Sequence, residues 1–358
     1  MERESELAAW LRLSLIRGLG PRGQRKLLAA YGLPEQVFKQ SRPALAQHVG
    51  EATAELIHSQ DTDAAVETSM TWLSQPRHRL LTLADPEYPQ ALLETSDPPI
   101  LLFVSGDVSL LNRPAIAIVG SCNATAQGRA NAQEFALALS EAGFTIISGL
   151  ALGIDAAAHQ GALQTKASTI AILGTGIDVH YPSRNRALQE TIEMNGAVIS
   201  EFPLGAAPTT HNFPKRNRII SGLSRGVLVV EAAVSSGSLI TARQAAEQGR
   251  DIYAIPGSIH SPLSRGCHAL IKQGAKLVES AQDILEELRM PGFLIVSKQK
   301  IDAPSHPLYE HMGHELCNVD TLCQRSGLTP ETVSAMLLQL ELEGRVEALP
   351  GGQYQRLS

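Results

Sequence analysis

The sequence predicts an α/β fold whose centre is a doubly wound parallel sheet, placed between an N-terminal helical domain and a C-terminal winged helix. Six short runs rich in Val and Ile alternate with helical stretches in the middle of the chain. Repeated βαβ units of this kind form a parallel sheet with helices on both faces. The 358 residues divide into a helical domain (1–79), a central domain (80–290), a linker (291–304) and a winged-helix domain (305–358).

The N-terminal domain begins with two helical stretches, 7–16 and 22–31, joined by the turn Gly-Leu-Gly-Pro at 18–21. A Gly-apolar-Gly turn followed by basic residues resembles a helix-hairpin-helix (SAM-like) element. The turn amides and the start of the second helix face a phosphate in such an element. An ordinary helical hairpin with a Gly cap and a Pro at the first helical position explains the same residues. The pattern leaves both interpretations open.

The predicted strands of the central domain are short and uniformly apolar, as expected where both faces of a sheet are covered. They lie at 115–120, 145–149, 169–174, 197–200, 227–232 and 251–255. The helical stretches between them lie at 130–142, 156–164, 185–194 and 241–248. This order predicts a Rossmann-like domain, in which a ligand binds beyond the carboxyl ends of the strands.

Nearly all the segments that follow these strands are rich in Gly and Ser. Such loops expose backbone N–H groups at helix N-termini, and phosphates bind there. Neither a G-x-G-x-x-G set with an acidic ribose partner nor a G-x-x-x-x-G-K-[ST] motif is present, so the sequence predicts no nucleotide cofactor. The candidate contacts to a nucleic-acid backbone are Gly120, Ser121, Thr125, Gly149, Gly153, Ser236, Gly237 and Ser238.

The segment after the fourth strand is interpreted as a long, purely basic loop. Guanidinium groups suit phosphate oxygens, and an aromatic face adds about 1–3 kcal/mol of stacking in single-strand binders. A basic groove with Gly-rich amides and a single ring favours single-stranded DNA over duplex. The candidate contacts from this loop are Phe213, Lys215, Arg216, Asn217 and Arg218.

Structural roles for the same side chains are open alternatives. Arg216 or Arg218 would then pair with an acid of the central domain, and we expect one of the two to be structural. The candidate acids are Glu201, Glu231 and Asp155. Phe213 would in that case fill the core beneath the loop.

Composition excludes several classes of protein. The chain is 44% hydrophobic with a formal net charge of −6, and no run approaches the roughly 18 apolar residues of a membrane span. The N-terminus lacks a signal-peptide pattern, and four cysteines form no disulfide framework. We therefore expect a cytoplasmic protein without membrane contact. Although the net charge is negative, all charged residues are Lys or Arg in two segments, 7–34 and 203–230.

Several motifs of the central domain resemble the DprA (Smf) family, and they recur in order over roughly residues 85–288. They are Ile-Val-Gly-Ser at 118–121, Ser-Gly-Leu-Ala-Leu-Gly-Ile-Asp at 148–155, Arg-Asn-Arg-Ile-Ile-Ser-Gly-Leu-Ser at 216–224, Ser-Gly-Ser-Leu-Ile-Thr-Ala at 236–242 and Ala-Ile-Pro-Gly at 254–257. The resemblance implies a DNA-processing protein of natural transformation. Such a protein binds and protects incoming single-stranded DNA, forms a homodimer, and helps to load the RecA recombinase past single-strand-binding protein. It implies no catalysis.

Two positions depart from the family pattern. Cys122 stands where the family often has an Arg, and Thr210 stands where it often has a Lys. Lys215 is a candidate substitute for a missing cation. Each lost phosphate contact flattens the salt dependence of binding by about one unit of log-log slope, so we expect weaker DNA binding than is usual in the family.

The C-terminal segment has three helical patches, 308–313, 319–326 and 330–343, followed by a Gly-turned hairpin, which predicts a winged helix. Its third helix carries three Glu and no Lys or Arg, which favours a protein contact over a DNA groove. The nearby His306, His311, His314, Cys317 and Cys323 match no zinc spacing, so we expect no metal.

The alternative function is an enzyme, a nucleotide hydrolase of the lysine-decarboxylase-like Rossmann group. Those proteins carry a catalytic Glu in a Gly-rich loop, where this chain has Gln244, and an amide cannot act as a carboxylate base. Asp155 and His159, one helical turn apart, would form an acid–base pair, but a structural hydrogen bond is the preferred interpretation. A pure interaction scaffold is the third possibility.

Overall fold

The computed structural model describes residues 2–166, 168–288, 306–313 and 316–356. The predicted linker 291–304 and His314 lie outside these ranges. The N-terminal domain is helical, as predicted. Its helices are α1 (Glu2–Leu15), α2 (Pro21–Tyr31), α3 (Pro34–Phe38), α4 (Arg42–Val49), α5 (Glu51–Ser59) and α6 (Asp63–Leu73).

The first two helices form the predicted hairpin. Gly18 has a φ of +74° in the turn after α1, and Pro21 opens α2 behind the N-cap residue Gly20. Proline suits this position because the first N–H groups of a helix have no partner within it. Trp10 is buried in the same apolar cluster as Phe103 of the central sheet, so the N-terminal domain packs directly on that sheet.

The central sheet contains nine strands in the described part of the chain. They are β1 (His78–Thr82), β2 (Leu101–Gly106), β3 (Ala115–Val119), β4 (Thr145–Ser148), β5 (Thr169–Ile172), β6 (Ala197–Ser200), β7 (Gly226–Val229), β8 (Asp251–Ala254) and β9 (Lys276–Leu277). Their spatial order is β1-β2-β6-β5-β4-β3-β7-β8-β9. The strands from β6 to β9 in this order are parallel, whereas β1 and β2 pair antiparallel at one edge.

The six predicted strands are confirmed, with ends that differ by at most a few residues. The sequence reasoning missed three strands. β1 and β2 precede the βαβ pattern and pair without a crossover helix, and β9 is only two residues long. The direction of chain progression reverses beside β3, since β4 to β6 follow on one side and β7 to β9 on the other. A ligand crevice forms at such a switch point, and here the loops after β3 and β7 flank it.

Helices cover both faces of this sheet. They are α7 (Gln90–Leu93), α8 (Ala126–Glu141), α9 (Ile154–Ala162), α10 (Arg186–Asn195), α11 (Asn212–Leu223), α12 (Ser238–Glu247), α13 (Arg265–Lys272) and α14 (Ala281–Glu287), with 3-10 turns at Val108–Asn112 and Ser183–Asn185. Alternate residues of β3 contribute to the two apolar clusters that lie on opposite faces of the sheet. Ile116 and Ile118 pack with α8 and α9, and Ala117 and Val119 pack with α11 and α12, as the two-residue period of a strand requires.

The expectation of a long basic loop after the fourth strand is wrong for residues 212–218, which belong to helix α11 (Asn212–Leu223). The polar run at its start obscured the helical period in the sequence. Ile219, Ile220 and Leu223 are buried against the sheet, and this apolar face holds the helix in place. The basic residues therefore occupy fixed positions on a helix rather than a mobile loop.

The C-terminal domain is a winged helix, as predicted. It contains α15 (Tyr309–Met312), β10 (Cys317–Asn318), α16 (Val319–Ser326), α17 (Pro330–Leu342), β11 (Val346–Leu349) and β12 (Gln353–Arg356). Thr329 caps α17 by accepting a hydrogen bond from the Thr332 amide at 3.4 Å. The domain contacts the central one where Nη2 of Arg129 lies 3.0 and 3.2 Å from the two carboxylate oxygens of Glu347. None of the helices in the described ranges has the length and apolarity that a membrane span requires.

Candidate nucleic-acid interface

A pocket of about 480 Å³ opens at the carboxyl ends of the parallel strands, and we call it the main pocket. The loops after β3, β4, β5 and β7 form its walls together with the first turns of α11. Nine of the predicted contact residues line it: Gly120, Ser121, Gly149, Phe213, Arg216, Asn217, Ser236, Gly237 and Ser238. The other four lie outside its lining: Thr125, Gly153, Lys215 and Arg218.

The expectation that these loops present their amides to a ligand is wrong at two positions. The Ser121 amide donates to the carbonyl of Glu231 at 2.8 Å, and the Gly149 amide donates to Oδ2 of Asp155 at 3.1 Å. These hydrogen bonds satisfy the backbone of the crevice from within. Ser121 and Gly149 therefore contribute the shape of the wall rather than free donors.

Two glycines are required by close packing around the crevice. A Cβ at Gly149 would lie 2.6 Å from Nη2 of Arg216. Gly153 has a φ of +74°, and a Cβ there would lie 2.3 Å from the carbonyl oxygen of Ser121. Gly153 is the N-cap residue of α9. Without a side chain at Gly153, the loop after β4 packs directly against the loop after β3. Gly153 therefore lies behind the wall of the main pocket rather than in its lining.

Arg216 is buried in the floor of the main pocket, 5% exposed. Its Nη1 donates to the carbonyls of Gly149, at 2.7 Å, and Ile172, and its Nε donates to Oδ1 of Asn217 at 3.1 Å. Burial lowers the pKa of the guanidinium to about 10, and the opposite charge of Asp155 partly offsets that effect. Arg216 therefore ties β4, β5 and α11 together.

Arg218 is also structural. Its Nη2 pairs with Oε2 of Glu201 and its Nη1 donates to the carbonyl of Asp97. Burial raises the pKa of the Glu201 carboxyl, while Arg218 acts in the opposite direction. One of the two arginines was expected to be structural, and both are engaged inside the protein. Glu201 is the predicted acid that pairs directly with Arg218.

Thr125 and Glu231 form a cap at the start of α8. The Thr125 hydroxyl donates to Oε1 of Glu231 at 2.6 Å and accepts a hydrogen bond from the Gly128 amide at 2.9 Å. The Thr125 amide donates to Oε2 of Glu231 at 3.0 Å. The partner of Glu231 is therefore this threonine rather than an arginine, and the single hydroxyl proton of Thr125 is already used.

Phe213 lies half-buried in the wall of the main pocket, beside Tyr181. The two ring centroids are 5.7 Å apart at an angle of 34°, and the Phe213 ring packs against Gly174. Tyr181 is 45% exposed. Sequence reasoning missed Tyr181, although an aromatic residue after the third Gly-rich loop was a usable signal. The pocket thus has a pair of rings where one was predicted.

Asp155 and His159 have separate partners. Oδ2 of Asp155 accepts from the Gly149 and Ala151 amides at 3.1 and 3.4 Å, whereas Nδ1 of His159 lies 2.7 Å from Oγ1 of Thr169. Burial raises the pKa of Asp155 and lowers the pKa of His159 to about 3, with Arg216 acting in the same direction. Each side chain therefore holds the fold through its own hydrogen bonds, in line with the structural interpretation.

The two positions that depart from the family pattern carry no charge at the pocket. Cys122 lies in the wall of the main pocket, and burial raises the pKa of its thiol. Thr210 is exposed just before α11. Lys215 is exposed on α11, two residues after Phe213. Within the residues that the structure describes, no group of three or more His, Cys, Asp or Glu is placed to hold a metal.

A second cavity, of about 380 Å³, separates the turn of the N-terminal hairpin from the central domain, and we call it the head cleft. Gly18, Gly20 and Pro21 line it on one side, and Glu201 and Lys215 line it on the other. The hairpin turn therefore faces the same region of α11 as the main pocket does.

Comparisons with known proteins agree with this architecture. A family model described as DNA recombination-mediator protein A matches residues 79–289, and one described as DprA winged helix domain matches residues 297–352. Protein Smf of Escherichia coli (strain K12) is 45% identical over 304 residues, which are 82% of this chain and 81% of that protein. The DNA processing protein DprA of Streptococcus pneumoniae is 50% identical over 206 residues, 58% of this chain and 73% of that protein.

Two solved structures resemble the chain over most of their own length. The X-ray structure of DNA processing protein A from Streptococcus pneumoniae has a TM-score of 0.70 at 41% identity and covers 77% of this chain and 95% of that one. A structure that describes the single-stranded DNA binding mode of DNA processing protein A from Helicobacter pylori has a TM-score of 0.53 at 31% identity. It covers 59% of this chain and 96% of that one.

Fold, site and matches together define a DNA-processing protein built on a doubly wound α/β domain. The chain belongs to the DprA (Smf) family. The resemblance inferred from the sequence motifs is therefore confirmed, and the family match at 79–289 closely follows the range of those motifs.

Proposed function

We propose that the protein binds single-stranded DNA in the main pocket. The observation that carries the proposal is the pair of rings, Phe213 and Tyr181, in the wall of a 480 Å³ cavity at the switch point of the sheet. A base that enters the cavity gains a stacking surface, and Lys215, exposed two residues after Phe213 on α11, is the cation for the adjoining phosphate. The Helicobacter pylori relative, described by its single-stranded DNA binding mode, supports the same assignment.

The predicted contact residues take two kinds of role in this proposal. Contacts to DNA come from the exposed or pocket-facing groups: Ser121, Phe213, Lys215, Asn217, Ser236 and Ser238. The shape and rigidity of the pocket come from Gly120, Thr125, Gly149, Gly153, Arg216 and Arg218, and Gly237 lies in the pocket lining as the N-cap residue of α12. This second group acts without touching a phosphate. Thr125, Arg216 and Arg218 have side chains bonded inside the protein, and the glycines other than Gly237 allow close packing.

The pocket favours an unpaired strand for a physical reason. In a duplex both faces of each base are stacked on neighbours, so a ring in a pocket wall reaches a base only after the base is unstacked. A single strand places its bases in the pocket at much smaller cost.

The test measures binding of a labelled oligonucleotide and of the same strand in a duplex by fluorescence anisotropy at several salt concentrations. We expect the single strand to bind more tightly, with an affinity that falls as salt rises. Equal affinity for the duplex, or no salt dependence, would contradict the proposal.

We further propose that the bound strand is incoming DNA in natural transformation. The protein would protect it and help to load RecA past single-strand-binding protein, acting as a homodimer through the central domain. Family membership supports this assignment. The measurements are the rate of RecA assembly on coated single strands and the mass of the protein in solution. An unchanged rate of RecA assembly would contradict the loading role. A mass equal to one chain at every concentration would contradict the homodimer.

We do not propose the nucleotide hydrolase. Gln244 lies on α12, and its Nε2 donates to the carbonyl of Pro214 at 3.2 Å. An amide with this role fixes α11 against α12 and accepts no proton from water. Release of a free base from a nucleoside monophosphate would reverse this conclusion.

A further inference from the structure

We propose that the head cleft is a second nucleotide subsite, in which Glu201 accepts a hydrogen bond from the exocyclic amine of a base. The proposal rests on single-strand binding by the main pocket, because the strand that fills one cavity continues into the other. It concerns the chemistry of the base, whereas the proposed function concerns only the presence of a strand.

The carboxylate of Glu201 has one oxygen committed and one without a partner. Oε2 pairs with Nη2 of Arg218. Oε1 has no hydrogen-bond partner in the described residues, although the side chain is only 8% exposed. Glu201 lies in the wall of the head cleft. A buried oxygen of this kind is unfavourable until a donor reaches it, so the cleft is suited to a ligand that brings an N–H group.

The ligand of the head cleft is not a cation, because Lys215 already supplies a positive charge there beside the carboxylate of Glu201. Lys215 lines the same cleft and is exposed. The N-terminus of α2 lies there as well, with Gly20 and Pro21 in the lining and no side chain capping the helix. A positive group and a helix N-terminus both attract an anion and repel a positive ligand. The ligand therefore combines an anionic group with a neutral N–H donor.

An aromatic ring completes the site. Phe202 is half-buried and lines the cleft next to Glu201. Flat heterocycles stack on such a face irrespective of their identity, and a volume of about 380 Å³ lies within the range of small-molecule sites. A ligand that has a flat ring, an N–H donor and an anionic group is a nucleotide. Among base edges, an exocyclic amine is the donor that carboxylates accept in protein–DNA contacts.

Helix α11 connects this subsite to the main pocket. Its first turns place Phe213 in the main pocket and Lys215 in the head cleft. A strand that crosses the start of α11 therefore meets Phe213 in the main pocket and Phe202 with Lys215 in the head cleft. This continuity favours a residue of a bound strand over a free nucleotide.

The experiment compares oligo-dC with oligo-dU of equal length, because the two bases differ in size very little and only cytosine has the amine. Binding is measured by fluorescence anisotropy for the wild type, Glu201→Gln and Glu247→Gln. Glu247 is exposed on α12 and does not line the head cleft, so its variant removes one acid near Lys215 without altering Oε1. We expect the wild type to prefer oligo-dC by roughly tenfold. This preference should be lost in Glu201→Gln and kept in Glu247→Gln.

Circular dichroism checks that Glu201→Gln is folded, since Glu201 also holds Arg218. If it is not folded, Phe202→Leu serves instead, because it keeps apolar volume and removes the ring that positions the base. We expect the preference for oligo-dC to fall in that variant too.

Equal binding of oligo-dC and oligo-dU by the wild type, or a preference that survives in Glu201→Gln or Phe202→Leu, would overturn the subsite. Free dCMP is also added to the wild type and to Glu201→Gln. If dCMP raises the melting temperature of the wild type but not of the variant, the assignment of the subsite to a bound strand would be overturned. Absence of all single-strand binding would instead overturn the proposed function.

Discussion

The guanidinium of Arg216 lies directly beneath the backbone of Gly149, with Nη1 2.7 Å from the glycine carbonyl oxygen. A side chain at position 149 would occupy the place of that guanidinium. Arg216 belongs to the most conspicuous basic cluster of the sequence, yet it supports the pocket from inside the protein. Positive charge in the sequence is therefore a poor guide to the groups that a strand of DNA touches here.

Replacing Arg216 with Ala should destabilise the fold by about 3–5 kcal/mol. The change leaves Asp155 buried without its nearby opposite charge, and two carbonyls lose their donor. Urea unfolding measures the effect. Arg184→Ala, at an exposed site on the same domain, should change stability by less than about 0.5 kcal/mol. Equal stabilities of the two variants would contradict the structural role, and loss of DNA binding in Arg216→Ala is not by itself proof of a DNA contact.

Phe213→Leu separates stacking from core packing. Leucine keeps most of the apolar contact with the Gly174 wall, so we expect a stability loss below about 1.5 kcal/mol. It removes the aromatic face, so we expect single-strand affinity to fall by about tenfold. Anisotropy and urea unfolding give the two quantities. Phe38→Leu, at a half-buried ring in the N-terminal domain, should leave affinity unchanged. A large loss of stability with unchanged affinity would show that Phe213 only packs in the core and does not stack on a base.

Lys215→Ala should lower the slope of log affinity against log salt by about one unit. Lys215 is exposed on α11 and lines the head cleft, and each phosphate contact releases about one counterion. Affinities measured at several salt concentrations give the slope. Lys272→Ala, at an exposed lysine on α13, removes the same charge away from both cavities and should keep the slope of the wild type. The same decrease in both variants would mean that Lys215 acts only through net charge.

His159 should make the fold sensitive to mild acid. Its pKa is about 3 in the folded protein because of burial, whereas the unfolded value is about 6.5. Between these values the unfolded chain binds more protons, so the free energy of unfolding decreases as pH falls below about 6.5, by at most about 1.4 kcal/mol per pH unit from this group. The raised pKa of Asp155 acts in the opposite sense above its unfolded value.

Urea unfolding between pH 7 and pH 4.5 tests this sensitivity. His159→Asn should reduce the slope, and His260→Asn, at an exposed position, should not. Because Asp155 is present in all three proteins, the difference between them isolates the imidazole. An unchanged slope in His159→Asn would contradict the assignment.

Six strands and four helices of the central domain were predictable because short apolar runs separated by Gly-rich turns have few alternative folds. The same regularity brought nine of the thirteen predicted contact residues to one cavity, since every loop after a parallel strand emerges at the same edge. Helix α11 was not predictable in this way. Its start is polar, and only its buried face of Ile219, Ile220 and Leu223 marks it as a helix.

By itself the sequence determined the order of domains, the winged helix, the edge of the sheet where the main pocket opens and the family. These properties depend on local patterns and on the number and order of elements along the chain. Only the tertiary structure decided which charges are free. Arg218 and Glu201 are 17 residues apart and Thr125 and Glu231 are 106 apart, and no local pattern encodes such pairings. Of the three cations at positions 215, 216 and 218, Lys215 is exposed and lines the head cleft. Arg216 and Arg218 point into the protein and are held there by carbonyls and a carboxylate.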